Sequence, residues 1–202
     1  MPADRFEKAL DDAWALLEGG DAVAAARTLQ ALLDGGRLGA ADEADARHML
    51  GQAFEEQGDM EAATREWLVV ARLDARLDPP QPLMAPHEFE RLAAAALEEL
   101  PGELQVKLQD VAVVVDDRPS DGMVSDGIDP RILGLYSGVP YPSRSTVWGA
   151  PYPEVIHLFQ RNLEAQVDDA AQLARQIRLT VIHETAHYFG YSEAELRRMG
   201  LG

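Results

Sequence analysis

Two histidines and a glutamate in the last tenth of the chain have the spacing of a metal site. His183, Glu184 and His187 form the pattern H-E-x-x-H. Residues four apart lie on one face of an α-helix, so the two imidazoles can point at one ion. Imidazole is a good zinc ligand, and Glu184 would lie beside the metal as the base that takes a proton from metal-bound water. The pattern therefore predicts a catalytic site with one zinc ion per chain.

A catalytic zinc ion needs a third protein ligand besides its water. Glu193 is the candidate, because it completes the longer pattern H-E-x-x-H-x-x-G-x-x-E, in which Gly190 would turn the chain back toward the metal. A local interpretation competes, since Ser192 to Glu195 also fits the capping box S-x-x-E at the start of a helix. Glu193 would then be a first-turn acid favoured by the helix dipole, although one residue can fill both roles.

The residues around the motif predict a buried helix that begins near Asp168-Asp169 and stops at Gly190. Two apolar rows recur at helical spacing, which predicts a helix covered on two sides. The rows are Leu173, Ile177, Val181 and Tyr188, and Leu179, Ile182, Ala186 and Phe189. In the ordinary alternative the two histidines are plain helix residues and Glu184 is a buried or capping acid.

Composition limits the class of protein. The 202 residues carry a net charge of −17 and no cysteine, which excludes disulfides and cysteine-bound zinc. The acidic charge argues against nucleic acid and anionic membrane surfaces as partners. The chain has no apolar run long enough to span a membrane and no signal-peptide core at its N-terminus. We therefore expect a soluble cytoplasmic protein.

The region 1–78 predicts four helices separated by turns rich in glycine and aspartate. Residues 18–27 align with residues 56–65, each as helix, Gly-Asp turn and helix of small residues. This unit, with Leu50-Gly51 and Gly58 in the second copy, resembles the tetratricopeptide repeat. The resemblance implies a groove for a peptide or protein partner, and a plain four-helix bundle is the alternative. Two copies are fewer than a free-standing array needs, so we expect one end to pack on a following domain or second chain.

The rest of the chain predicts a second domain. Four prolines in residues 79–86 indicate an extended linker, and residues 87–202 form the domain that follows. A helix is expected over residues 87–100 and strands at 111–115 and 155–160. Residues 116–130 are expected to be a loop, and 132–140 an apolar segment that enters a turn. The predicted fold class is α+β.

From about Phe89 to Gly202 the chain resembles the minimal zincin-like metallopeptidases, which are small bacterial proteins. The resemblance depends on the order and spacing of several segments: 100–101, 113–116, 133–140, 155–164 and 180–190. It implies a small α/β domain with a zinc-binding helix on a short sheet, His183 and His187 as ligands, and Glu184 as base. The family commonly has Asp where this chain has Glu193, so the reach of the third ligand differs.

The function we expect is zinc-dependent hydrolysis of peptide bonds, with the helical repeats holding a partner or substrate. Tyr136, Arg161 and Tyr188 are candidates for binding substrate or stabilising an oxyanion. The strand Val155–Phe159 is expected at the sheet edge, where it could hold an extended peptide. Two alternatives stay open: a non-catalytic adaptor with a structural or vestigial metal site, and a metal-dependent enzyme with a substrate other than peptides.

Overall fold

The computed structural model describes residues 3–36, 38–77, 81–141 and 154–199. Within these ranges ten helices and one three-stranded sheet give the expected α+β composition. The helices are α1 (Ala3–Glu18), α2 (Ala22–Asp34), α3 (Ala40–Glu56), α4 (Met60–Leu77), α5 (Pro86–Glu98), α6 (Gly102–Leu108), α7 (Asp121–Ser125), α8 (Gln160–Glu164), α9 (Ala170–Tyr188) and α10 (Glu193–Arg198). The strands are β1 (Ala112–Asp116), β2 (Gly134–Ser137) and β3 (Val155–Phe159). No helix in the described ranges is both long and apolar enough to cross a membrane.

The chain divides into two compact units. The helical unit comprises Met1–Pro79 together with Pro119–Arg131, and the sheet unit comprises Pro80–Arg118 together with Ile132–Gly202. The segment that lies between β1 and β2 in the sequence therefore belongs to the helical unit.

Two turns of the helical unit have the same geometry. Gly20 and Gly58 have φ angles of 78° and 79°, a left-handed conformation that costs glycine little. The backbone N–H of the aspartate after each glycine donates to the carbonyl five residues earlier, at 2.8 and 2.9 Å. The side chains of Asp21 and Asp59 then cap α2 and α4, each accepting a backbone N–H at 3.0 Å. The sequence repeat is thus also a repeat of backbone geometry.

Gly51 allows α3 and α4 to pack closely. Trp67 of α4 is fully buried, and its indole ring occupies the space that a side chain at Gly51 would need. The pair Leu50-Gly51, on which the repeat resemblance partly depends, is therefore explained by helix packing.

The segment Pro119–Arg131 completes the core of the helical unit. Val124 of α7 is fully buried against Trp67, and Ser120 caps α7 by accepting the N–H of Met123 at 3.2 Å. The expectation of a plain loop at 116–130 is therefore wrong for Asp121–Ser125. The sequence did not show this short helix because its single buried residue, Val124, gives no periodicity.

Arg131 anchors the same segment by charge. Its guanidinium donates to both carboxylate oxygens of Asp74 at 2.8 and 2.9 Å and to Asp45 at 2.8 Å. The carboxylate of Asp74 is buried, so these bonds compensate for lost hydration. Asp129 adds a contact at 2.8 Å from its carboxylate to Nε2 of His48. Helices α3 and α4 are thus held by Asp129 and Arg131, which follow the proline-rich segment in the sequence.

The sheet has the strand order β1-β3-β2, with β1 parallel and β2 antiparallel to β3. The expectation that Val155–Phe159 lies at an edge is wrong, because β3 pairs on both sides. Among the described residues, β2 is an edge strand instead. We expected residues 132–140 to be an apolar segment that enters a turn; a strand was not predicted there because β2 is only four residues long and contains Gly134.

One face of the sheet carries the core of the sheet unit. Helices α5 and α9 pack against each other, and α9 also packs on β2 and β3. The core consists of fully buried apolar side chains from the two helices and the central strand: Phe89, Ala93, Ile156, Leu158, Leu173, Ile177 and Val181. This packing fixes α9 relative to the sheet.

The proline-rich segment is anchored at one point. Met84 is buried in the core of the sheet unit. Its N–H donates to Glu164 at 3.3 Å, and its carbonyl accepts from the side chain of Gln160 at 2.7 Å. The predicted spacer over residues 79–86 is therefore tied to the sheet unit at Met84, while Pro79 and Pro80 lie outside the described residues.

Arg131→Ala is expected to lower the free energy of unfolding by about 2 kcal/mol, because it removes two charged hydrogen bonds from a buried carboxylate. The partial exposure of Arg131 keeps the loss below that of a fully buried pair. Urea unfolding followed by circular dichroism measures it. The control is Arg65→Ala, whose pair with Glu61 is exposed on both sides and should change stability by less than about 0.5 kcal/mol. Equal effects of the two substitutions would contradict the anchoring role of Arg131.

Candidate metal centre

Helix α9 carries the H-E-x-x-H residues between two clear ends. The side chain of Asp169 caps its start by accepting the N–H of Gln172 at 2.8 Å. Of the two apolar rows, the one containing Val181 and Tyr188 is fully buried. The other is not, because Leu179 is 50% exposed, so the prediction of a helix covered on two sides is wrong. The uncovered side leaves His183 and His187 partly accessible.

The two histidines meet Glu193 at one point. The distance between Nε2 of His183 and Nε2 of His187 is 3.0 Å. Oε1 of Glu193 lies 3.1 Å from the first of these nitrogens and 2.9 Å from the second. The three donor atoms therefore form a nearly equilateral triangle.

This triangle fits a zinc ion. Ligand atoms about 2.0–2.1 Å from a tetrahedral zinc ion lie about 3.3 Å from one another, so the donors need to spread by only a few tenths of an ångström. Two histidines and one glutamate are also a known ligand set of catalytic zinc sites. Within the described ranges, these three side chains are the one group of histidine and acidic residues arranged to hold a metal ion.

The turn after α9 orients the second histidine. Nδ1 of His187 lies 2.9 Å from the backbone carbonyl of Tyr191. A carbonyl only accepts, so Nδ1 carries the proton, and Nε2 of the neutral ring keeps a lone pair for a metal. A hydrogen bond of this kind to the second ring nitrogen is usual for metal-binding histidines.

Gly190 makes the turn possible. Its φ angle is 88°, and the N–H groups of Gly190 and Tyr191 donate back to the carbonyls of His187 and Ala186 at 2.9 and 3.1 Å. This Schellman arrangement reverses the chain at the end of α9. Glu193 therefore lies in the first turn of α10 and, at the same time, beside both histidines. Its positions as a first-turn acid and as a candidate ligand are compatible.

Glu193 is ionised more readily than an ordinary glutamate. Partial burial alone would raise its pKa, but hydrogen bonds and charges from His183 and His187 outweigh that effect and lower the pKa. An ionised carboxylate is the form that binds a metal.

Glu184 is the buried acid of the site. It is 6% exposed, and its Oε2 accepts the backbone N–H of Tyr136 at 2.9 Å. Burial raises the pKa of Glu184, opposed by the charges of both histidines and by the Tyr136 hydrogen bond. Glu184 thus has a fixed orientation and an increased affinity for a proton, as a general base and acid requires.

Strand β2 approaches α9 closely because residue 134 is glycine. A Cβ at Gly134 would lie 2.8 Å from the Thr180 methyl carbon and 2.9 Å from Cγ of Glu184. Any larger residue would push β2 away from the helix or displace the Glu184 side chain.

The three candidate substrate residues lie in different surroundings. Tyr188 is fully buried, and its hydroxyl donates to the carbonyl of Lys107 at 2.5 Å. Tyr136 packs edge-on against Tyr188, with ring centres 5.6 Å apart, and donates its backbone N–H to Glu184. Arg161 is held near Asp117 and Glu164, at 3.7 and 3.5 Å. Of the three, Tyr136 has a direct contact with a residue of the H-E-x-x-H pattern.

Sequence reasoning missed the backbone groups of the site. The N–H of Tyr136, the carbonyl of Tyr191 and the close approach at Gly134 all orient side chains of the candidate site. A glycine within an apolar segment was the one available signal, since it can mark a close backbone approach. The other two contacts depend on tertiary structure and leave no mark on residue type.

Comparison with known families adds one observation. Residues 108–202 match the model of a family described as zincin-like metallopeptidase. The match covers the sheet and the site on α9, so this zincin-like region is similar to a family of metal-dependent peptidases. It does not extend to α1–α4, so the tetratricopeptide resemblance stays a prediction. A search of curated proteins finds no match.

Gly134→Ala is expected to destabilise the zincin-like region by about 1–3 kcal/mol, because the added methyl group has no space against α9. Thermal unfolding measures the effect. Gly102→Ala is the matched control, since a Cβ at Gly102 would meet nothing within 4 Å. A Gly134 variant as stable as the control variant would show that β2 and α9 are not in close contact.

Glu184→Gln is expected to raise the unfolding temperature of the metal-free protein at neutral pH. Burial raises the pKa of Glu184 in the folded state, so protonation favours folding. That contribution is full below the ordinary pKa of glutamate and is lost as the pH rises through the folded-state value. The gain from Glu184→Gln should therefore be several degrees at about pH 7.5 and should vanish near about pH 4. A gain that is the same at both pH values would contradict a buried, ionised Glu184.

Proposed function

We propose that this protein is a zinc-dependent metallopeptidase that hydrolyses peptide bonds at the site on α9. The observation that carries the proposal is the triangle of His183, His187 and Glu193 beside a buried, oriented Glu184. The match of residues 108–202 to the zincin-like metallopeptidases supports the same chemistry.

His183, His187 and Glu193 would hold one zinc ion per chain. When bound, zinc lowers the pKa of a coordinated water and polarises a carbonyl group. The partial exposure of both histidine side chains, 22% and 25%, leaves an approach for water and substrate. Three protein ligands leave a coordination position open, whereas a structural zinc site is closed by four.

Glu184 acts as the proton carrier. Its carboxylate takes a proton from the attacking water and later donates it to the leaving amine nitrogen. The hydrogen bond from Tyr136 to Oε2 fixes the orientation of the carboxylate, which keeps further lone pairs to receive the proton. The raised pKa of Glu184 makes the carboxylate a better proton acceptor and brings its pKa closer to neutral pH, where one group can both take up and return a proton.

Strand β2 replaces β3 as the candidate support for an extended substrate. It is an edge strand among the described residues, and it contacts α9 at Glu184. An edge strand can hydrogen-bond a peptide backbone, and a peptide beside β2 would lie near the base.

The helical unit is proposed to bind a partner or the substrate protein. The repeated turn geometry of Gly20 and Gly58 supports a repeat architecture, and repeats of this kind bind peptides. In the alternative of a non-catalytic adaptor, this unit would bind the partner and the metal site would be structural or vestigial. The presence of Glu184 beside the donor triangle favours the enzyme, because a structural site has no use for a base.

Elemental analysis combined with a peptidase assay tests the proposal. Purified protein supplied with zinc should hold about one ion per chain, and His187→Ala should lose it. Glu184→Gln should keep the ion and lose peptide hydrolysis by a factor of at least about 100.

Three other results of these measurements would count against the proposal or favour an alternative. Hydrolysis that persists in Glu184→Gln would contradict the mechanism. Zinc without activity on any peptide library would favour the adaptor or another substrate class. A wild-type protein that takes up no zinc would contradict the metal centre itself.

A further inference from the structure

The turn between α9 and α10 contains a carboxylate that the metal centre does not use. Oε2 of Glu195 accepts the backbone N–H of Ser192 at 2.8 Å and the hydroxyl of Ser192 at 2.7 Å. The first bond is one half of the capping box of α10, and in the other half the backbone N–H of Glu195 donates to the Ser192 side chain. These bonds fix Ser192, which directly precedes Glu193.

Glu193 needs such support because its own side chain is long and half-exposed. Its exposure is 54%, and the contacts described for its carboxylate go to His183 and His187. A free glutamate side chain samples many rotamers, and restricting it costs conformational entropy. The position of its Cα is therefore the main factor that brings Oε1 to the histidines.

Two other features fix the same turn. Leu196 of α10 is fully buried, which ties the short helix to the sheet unit. Gly190 and the Tyr191 carbonyl connect the start of the turn to His187. The capping box lies between these two anchors, next to the third donor.

We propose that Glu195 is a positioning residue of the metal centre, which holds Glu193 in reach of the ion through Ser192. The proposal rests on the function proposed above, since it assigns a role within the same site. A cap at an ordinary helix stabilises by about 1 kcal/mol. Here the same bonds also raise metal affinity, as outer hydrogen bonds do in known metal sites.

Zinc affinity of the full chain, measured by competition with a chromophoric chelator, tests the proposal. Glu195→Ala should weaken zinc binding about 10-fold. Glu195→Gln should bind zinc within about 3-fold of the wild type, because a Gln at this position also completes a capping box. Glu88→Ala is the matched control, since Glu88 is an exposed acid in the first turn of α5, and it should leave the affinity unchanged.

A double-mutant cycle separates positioning from general stability. If Glu195 acts through Glu193, then Glu195→Ala should cause no further loss of affinity in a chain that already carries Glu193→Ala. An equal loss in both backgrounds would overturn the proposal, as would an unchanged affinity in the single variant. Thermal unfolding of the metal-free variants shows whether each one folds.

A second variant covers the case in which Glu195→Ala fails to fold. Ser192→Ala removes both bonds of the hydroxyl, the one to the Glu195 carboxylate and the one from the Glu195 backbone N–H. It keeps the bond from the Ser192 backbone N–H to Oε2, so it should weaken zinc binding by a smaller factor, and no change would overturn the proposal. A wild-type chain that binds no zinc overturns both this proposal and the proposed function. Zinc binding that is normal in the wild type and in Glu195→Ala overturns this proposal alone.

Discussion

The arrangement of the candidate metal centre depends on how the chain leaves helix α9. The helix alone presents two imidazoles on one face, and two imidazoles do not make a catalytic zinc site. The left-handed turn at Gly190 reverses the chain within three residues. It brings the carbonyl of Tyr191 within hydrogen-bond distance of Nδ1 of His187 and places the carboxylate of Glu193 beside both histidines. Donor geometry, histidine tautomer and the start of α10 therefore all follow from one backbone conformation.

A second constraint acts against stability. Glu184 is almost fully buried, and its ionised form loses hydration that a single backbone hydrogen bond only partly replaces. The fold supplies that bond by bringing β2 against α9, which in turn requires glycine at position 134. A region built only for stability would not keep an ionisable group there. In the function proposed here, this cost is a trade of stability for catalysis.

The side chains of the candidate site could be named from the sequence, but much less of their surroundings could be predicted. His183, His187, Glu184 and Glu193 follow from spacing along one helix and one turn, which are local properties. The position of β3 in the middle of the sheet does not, because strand order depends on contacts between distant segments.

In the helical unit, too, local features could be predicted and contacts between distant segments could not. Its glycine turns and aspartate caps were visible as a sequence repeat. The docking of Pro119–Arg131 was not, because it depends on Arg131 reaching Asp74 and Asp45 across more than 50 residues. A segment rich in Asp, Gly, Pro and Ser indicates a loop equally well whether it is free or packed.

The central claim is that His183, His187 and Glu193 bind one zinc ion together. A crystal of the protein grown with zinc, with anomalous diffraction recorded on both sides of the zinc absorption edge, tests it most directly. The account predicts one anomalous peak per chain, within about 2.2 Å of Nε2 of both histidines and of a carboxylate oxygen of Glu193. A peak at another group of residues, or a site in which Glu193 is turned away from the ion, would contradict it.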